Sequence, residues 1–94
     1  MESKDLVKLV VTSLNKHKAE DIQIIGIRDL TVIADYFVIA NGTSTTQVKA
    51  LADYLEKELS EQGITPLRIE GYSSANWILL DYGSVIAHVF YKET

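Results

Sequence analysis

The chain has no cysteine, which excludes disulfides, thiolate zinc sites and cysteine nucleophiles together. It has a single proline, no low-complexity tract, no internal repeat and no Pro/Gly/Ser-rich linker, so nothing divides its 94 residues. Clustered charge of one sign is also missing. Nine basic residues against thirteen acidic ones leave a net charge of -4 with the signs interspersed. A phosphate-backbone binder needs several grouped cations to displace counterions, so direct nucleic-acid binding is not expected. A weakly acidic surface suits a basic protein partner instead. No apolar run approaches the eighteen or so residues of a membrane span. The opening Met1-Glu2-Ser3-Lys4-Asp5 carries acids and no apolar h-region, so neither a membrane nor secretion is expected, and the expected location is cytoplasmic, or an organelle matrix.

What the chain does have is 47% apolar and 23% charged residues, the composition of a globular domain. Surface scaling for this mass gives roughly 5,400 Å² exposed when folded, with about 64% of the open chain's surface buried. A core without staples is therefore possible.

From Asp5 to about Lys18, Leu6, Val7, Val10, Val11 and Leu14 form one helical stripe, with Ser3 as candidate N-cap. Asp21–Arg28 is isoleucine-rich and partly alternating, and Asp35–Ala40 is a near-continuous apolar run, as in a strand covered on both faces. The link between them is too short for a helical crossover, so these two strands are expected to be antiparallel. Ser44-Thr45-Thr46-Gln47 has the form of a capping box, and Val48, Leu51, Ala52, Leu55 and Leu59 follow as the cleanest helical stripe, closed by Gly63. Leu67–Glu70 reads as a third strand reached by a right-handed parallel crossover. Trp77–Asp81 and Val85–Tyr91 flank Tyr82-Gly83-Ser84 as a hairpin. The expectation is an α/β fold: a mixed sheet of about five strands with two long helices packed on it.

Candidate chemistry is sparse. The Gly42-Thr43-Ser44 loop precedes a helix N-terminus, where backbone N–H groups can bind an anion, yet it lacks the lysine of a P-loop and reads first as a capped turn. Asp35 and Asp81 stand at strand ends, but no Asp-x-Asp pair is present to clamp metal ions against a nucleotide's phosphates. His88, inside an apolar strand without a second ligand at a defined offset, reads as a hydrogen-bonded structural residue. No acid, base and nucleophile form an array, so no catalytic residue, metal or cofactor is expected. Trp77, the sole tryptophan, opens a strand beside Asp81 and Tyr82 and fits either packing or an interface hot spot.

The segments Ala34–Ser44, Gln47-Val48, Ile69-Glu70-Gly71, Trp77–Gly83 and Val85–Phe90 together resemble the ribosomal silencing factor (RsfS, or Iojap-like) family in order and spacing. The resemblance spans nearly the whole chain. It implies a nucleotidyltransferase-like topology without the metal carboxylates, and a single domain over residues 1–94 lacking the family's aromatic C-terminal tail. It also implies a non-enzymatic factor that binds the large ribosomal subunit through a basic ribosomal protein at the inter-subunit face. Seated there it would sterically block joining of the small subunit when nutrients are limiting, and off the ribosome it would form a homodimer. Carried over by position, Trp77 would be an apolar anchor, Asp81 a charge partner and Tyr82 a turn-borne contact. Ser84 stands where the family usually has an acid, and Ala87 is smaller than the usual residue. The competing reading is a small nucleotide-binding or nucleotidyltransferase-like protein using Gly42-Thr43-Ser44; a third is a homodimeric scaffold with no ribosomal role.

Overall fold

A computed structural model describes residues 1–93. The elements are α1 (Ser3–Lys16), β1 (Glu20–Gly26), β2 (Tyr36–Gly42), α2 (Thr45–Ser60), β3 (Arg68–Glu70), β4 (Trp77–Asp81) and β5 (Val85–Tyr91). The five strands form one sheet in the order β1-β2-β5-β4-β3. β2 runs parallel to β5, and the other neighbouring pairs are antiparallel. The chain exposes 5499 Å², close to the value its mass dictates.

Both helices lie on one face of the sheet. Their stripes, Leu6, Val7, Val10 and Leu14 from α1 and Val48, Leu51, Ala52, Leu55 and Leu59 from α2, meet the alternate residues Val38, Ala40, Ile78, Leu80, Ala87 and Val89. Each fully buried Val or Leu in this layer contributes about 1.5–3 kcal/mol, so the layer dominates stability. A polar strap joins the helices at their far ends. His17, which caps α1, stacks on Tyr54 of α2 at 3.8 Å, and its Nε2 lies 2.8 Å from Glu58 Oε2. Lys16 Nζ reaches the same oxygen at 3.2 Å. The adjacent Ser13 hydroxyl, the His17 ring and Lys16 hold the Glu58 carboxyl down at about 2.

The α2 start follows the capping-box expectation. Ser44 Oγ accepts from Gln47 N–H at 3.0 Å, while Gln47 Oε1 reaches back to Thr43, accepting from its N–H and, at 2.8 Å, from its hydroxyl. Gly42 is required just before it, since a Cβ there would stand 2.8 Å from Val48 Cγ2. α1 departs from expectation: its N-cap is Glu2, without a side-chain cap bond, because the Ser3 hydroxyl donates instead to Asp35 Oδ2. That bond, with Arg28 Nη2 at 3.2 Å, fastens the α1 start to the entry of β2 and holds the Asp35 carboxyl below its usual range.

Two further expectations change. β2 is fully buried only at alternate positions, on the helix side; the strand with a continuous buried run is β5, from Val85 to Val89, where Ile86 packs with Ile27 and Ala34 and His88 lies among the rings of Phe37, Trp77 and Phe90. β3 does run in the direction of β2, but β5 and β4 lie between them, so the crossover spans two strands that form later in the chain.

Candidate functional site

Period-two alternation divides β4 sharply. Ile78 and Leu80 point under the helices, while Trp77, Leu79 and Asp81 fall on the opposite face. β5 places Ile86, His88 and Phe90 on that same face, and β2 adds Phe37 and Ile39. The register sets Trp77 opposite Phe90, and sets both Leu79 and Ile39 opposite His88. Neither helix covers this side; Ile27 and Ala34 pack over Ile86, Phe37 and Leu79, and the aromatic end around Trp77 stands open.

Trp77 is its most prominent member, 49% exposed although surrounded by aromatic partners. The indole stacks on Phe90 with centroids 5.3 Å apart, and its Nε1–H donates to His88 Nδ1 at 3.1 Å. His88 is only 8% exposed, with the Phe37 ring edge-on at 4.7 Å. Burial pushes the imidazole below its ordinary 6.5, which keeps it neutral. Since Nδ1 accepts, the ring hydrogen sits on Nε2, a buried atom with no hydrogen-bond partner.

Asp81 closes the other end of β4. Its Oδ1 accepts from Gly83 N–H at 2.8 Å and so holds the hairpin turn, while Oδ2 meets Arg68 Nε at 3.3 Å. The same Arg68 nitrogen lies 3.1 Å from Glu70 Oε2. These charges form a polar rim beside the apolar centre; the exposed Arg68–Glu70 pair is worth under about 1 kcal/mol, so Arg68 can leave at little cost, while the Asp81 side chain is only 15% exposed. The start of β4 depends on Gly71. Its φ is +80°, and a Cβ there would stand 2.0 Å from the Trp77 carbonyl oxygen.

Tyr82 is not part of this face. It is 8% exposed and packs in the helix-side core with Ile78 and Leu80, its hydroxyl buried without a partner and pushed up by burial. The surface-contact role expected for it gives way to packing. Trp77 and Asp81 share the open face; Tyr82 lies behind it. Leu79, Phe90 and Phe37 were not singled out from sequence, although their i, i+2 relation to Trp77, His88 and Ile39 was available. The loop between β1 and β2 also exposes Leu30, Val32 and Ile33, an apolar cluster that carried no periodic signal.

The Gly42-Thr43-Ser44 loop uses its polar groups internally: Thr43, Gln47 and Val48 N–H groups are bonded to Gln47 Oε1, Ser44 Oγ and Ser44 O. Asp35 is bonded to Ser3 and Arg28, and Asp81 to Gly83 and Arg68. Among the described residues, no three His, Asp or Glu side chains group in a way that could hold a metal ion. No helix among the described residues is long and apolar enough to cross a membrane.

A family model described as "Ribosomal silencing factor during starvation" matches residues 1–94. The chain belongs to the ribosomal silencing factor family. Among its relatives, proteins named ribosomal silencing factor from Halalkalibacterium halodurans and Bacillus subtilis are 41% and 36% identical to it over 99% of this chain, covering 80% and 79% of their own lengths. A mouse relative named mitochondrial assembly of ribosomal large subunit protein 1 is 33% identical over 94% of this chain and 40% of its own length. A crystal structure from Chromobacterium violaceum superposes with a TM-score of 0.94 at 35% identity, covering 97% of this chain and 76% of that one. Another, from Bacillus halodurans, gives 0.91 at 38% identity, over 97% and 85% of the two chains. The mixed five-stranded sheet with its two helices is thus the family's fold, and the bacterial relatives' names describe regulation rather than a reaction.

Proposed function

We propose that this ribosomal silencing factor family member represses translation by seating its open sheet face on a basic protein of the large ribosomal subunit, at the surface that meets the small subunit. Its bulk there blocks subunit joining, and it acts in the cytoplasm when nutrients are limiting. The action needs no catalysis.

The observation that carries this reading is Trp77, half exposed on an aromatic sheet face that no helix covers. Such a face, apolar at its centre with a charged rim of Arg68, Glu70 and Asp81, has the anatomy of a protein interface. The net charge of -4 favours a basic partner. The mouse relative's name, which refers to the ribosomal large subunit, agrees with that choice of subunit. Asp81 is the proposed charge partner, exchanging Arg68 for a cation of the ribosomal protein.

The test is binding of the purified chain to isolated large subunits. Trp77→Ala is expected to weaken it by about 2 kcal/mol or more, roughly thirtyfold, in a folded variant. Unchanged binding would remove the open face from the interface.

A further inference from the structure

Trp77 is held by one polar contact, and that contact comes from a titratable ring. The indole belongs to β4 and the imidazole to β5, on a diagonal of the strand pair: Trp77 lies opposite Phe90, and His88 lies two residues before Phe90 on the same face. Stacking on Phe90 fixes the plane of the indole, at 17° to the phenyl ring. The Nε1–H to Nδ1 bond fixes which way it points.

We propose that His88 is the positioning residue for Trp77, that its neutral ring holds the indole in the orientation the ribosomal partner meets, and that protonation of the ring releases it. This rests on the interface reading of Trp77. The chemistry allows only one tautomer. With hydrogen on Nδ1, two N–H groups would face each other and the Nε2 lone pair would be buried unpaired. Protonation at Nδ1 has the same consequence for Trp77: the acceptor becomes a donor and the bond is lost.

No charge on the face stands ready to hold an imidazolium. The positions paired with His88 are Ile39 on β2 and Leu79 on β4, and its ring neighbours are Phe37, Trp77 and Phe90. The charged groups on this side are Arg68, Glu70 and Asp81, tied to one another at the β3 edge, and Glu20, Asp21 and Lys92 at the β1 end, where Lys92 pairs with Glu20 and Asp21 accepts from Asn41. Burial of the neutral ring, which lowers its affinity for a proton, agrees with this arrangement. The device therefore switches below the ordinary histidine value of 6.5.

Trp77 is the only tryptophan, so its indole N–H resonance and its emission report on this contact alone. In the unmodified chain both are expected to titrate as the pH is lowered from 7.5, with a midpoint under 6.5, and binding to isolated large subunits to fall at least fivefold with the same midpoint. Asn places an amide oxygen near the position of Nδ1, so His88→Asn should keep the pH 7.5 indole signal and bind within about threefold of the parent, without the acid transition. His88→Leu should fold, lose the downfield indole shift and bind about tenfold more weakly at every pH. An indole signal that stays constant from pH 7.5 down to the acid unfolding of the unmodified chain would overturn the switch even if no variant folded. A folded His88→Leu with parental binding would overturn the positioning role. Failure of the interface reading would look different: Trp77→Ala would bind normally while the indole of the unmodified chain still titrated.

Discussion

The two faces of one sheet are built to different rules. On the helix side, Val38, Ala40, Ile78, Leu80, Ala87 and Val89 are aliphatic and buried under two amphipathic helices. On the open side the same three strands carry Phe37, Trp77, Leu79, His88 and Phe90; the four rings cover one another with no helix above them, while Ile27 and Ala34 pack on the Phe37 and Leu79 end. The first face is packed for stability. The second keeps about half of a tryptophan in solvent, an arrangement that helps folding less than full burial would and suits a partner better. An interface made of sheet rather than loop is also rigid before contact, which limits the ordering cost of association.

Substitutions should separate the faces. Leu55→Ala, at a fully buried α2 position, is expected to cost about 3–4 kcal/mol in urea unfolding, through lost transfer energy and a residual cavity. Trp77→Ala should cost under half of that in the same assay while carrying the larger loss in ribosome binding. Equal stability losses would erase the distinction. Gly71→Ala comes next, at about 3 kcal/mol, because the positive φ is strained for alanine and the added carbon meets the Trp77 carbonyl. It also displaces the start of β4, so binding should fall with stability.

Glu58→Gln probes the helix side through pH. Glu58 is held at about 2 against an ordinary 4.5, so its folded state binds the proton more weakly than the unfolded chain does. Its stabilisation is present above pH 4.5 and is lost as pH falls toward 2. The parent and Glu58→Gln should therefore differ in thermal unfolding at pH 7 and converge near pH 2, with binding at pH 7 unaffected. The smallest effect is expected at Tyr82. Its hydroxyl is buried without a partner, so Tyr82→Phe should change stability by less than about 1 kcal/mol, in the stabilising direction, and leave ribosome binding unchanged. A binding loss in Tyr82→Phe would return this residue to the interface.

Much of this division was legible in the sequence, where local rules govern. α2 was marked at both ends by Ser44 and Gly63, and the hairpin by its central Gly83. What local rules do not reach is partner choice between strands. β3 lies beside β4 because the hairpin inserts β5 next to β2, a long-range pairing that periodicity does not encode. Ser3 illustrates the same point at a single residue, since its expected cap role lost to Asp35, 32 positions away. Tyr82 is the instructive case in the site. The series Ile78, Leu80, Tyr82 follows the strand's two-residue period to the inside, and that signal opposed the contact role the family resemblance implied. His88 combined both kinds of information: its burial was foreseeable from the apolar strand, its bond to Trp77 only from the register.

Binding of the open face to the large subunit should by itself block subunit joining. The most direct measurement is sedimentation of the purified chain with isolated large subunits on a sucrose gradient, followed by addition of small subunits. The chain is expected to travel with large subunits and to lower whole-ribosome formation, and Trp77→Ala to do neither at the same concentration. A chain that stays at the top of the gradient, or a Trp77→Ala variant that sediments and blocks joining like the parent, would contradict it.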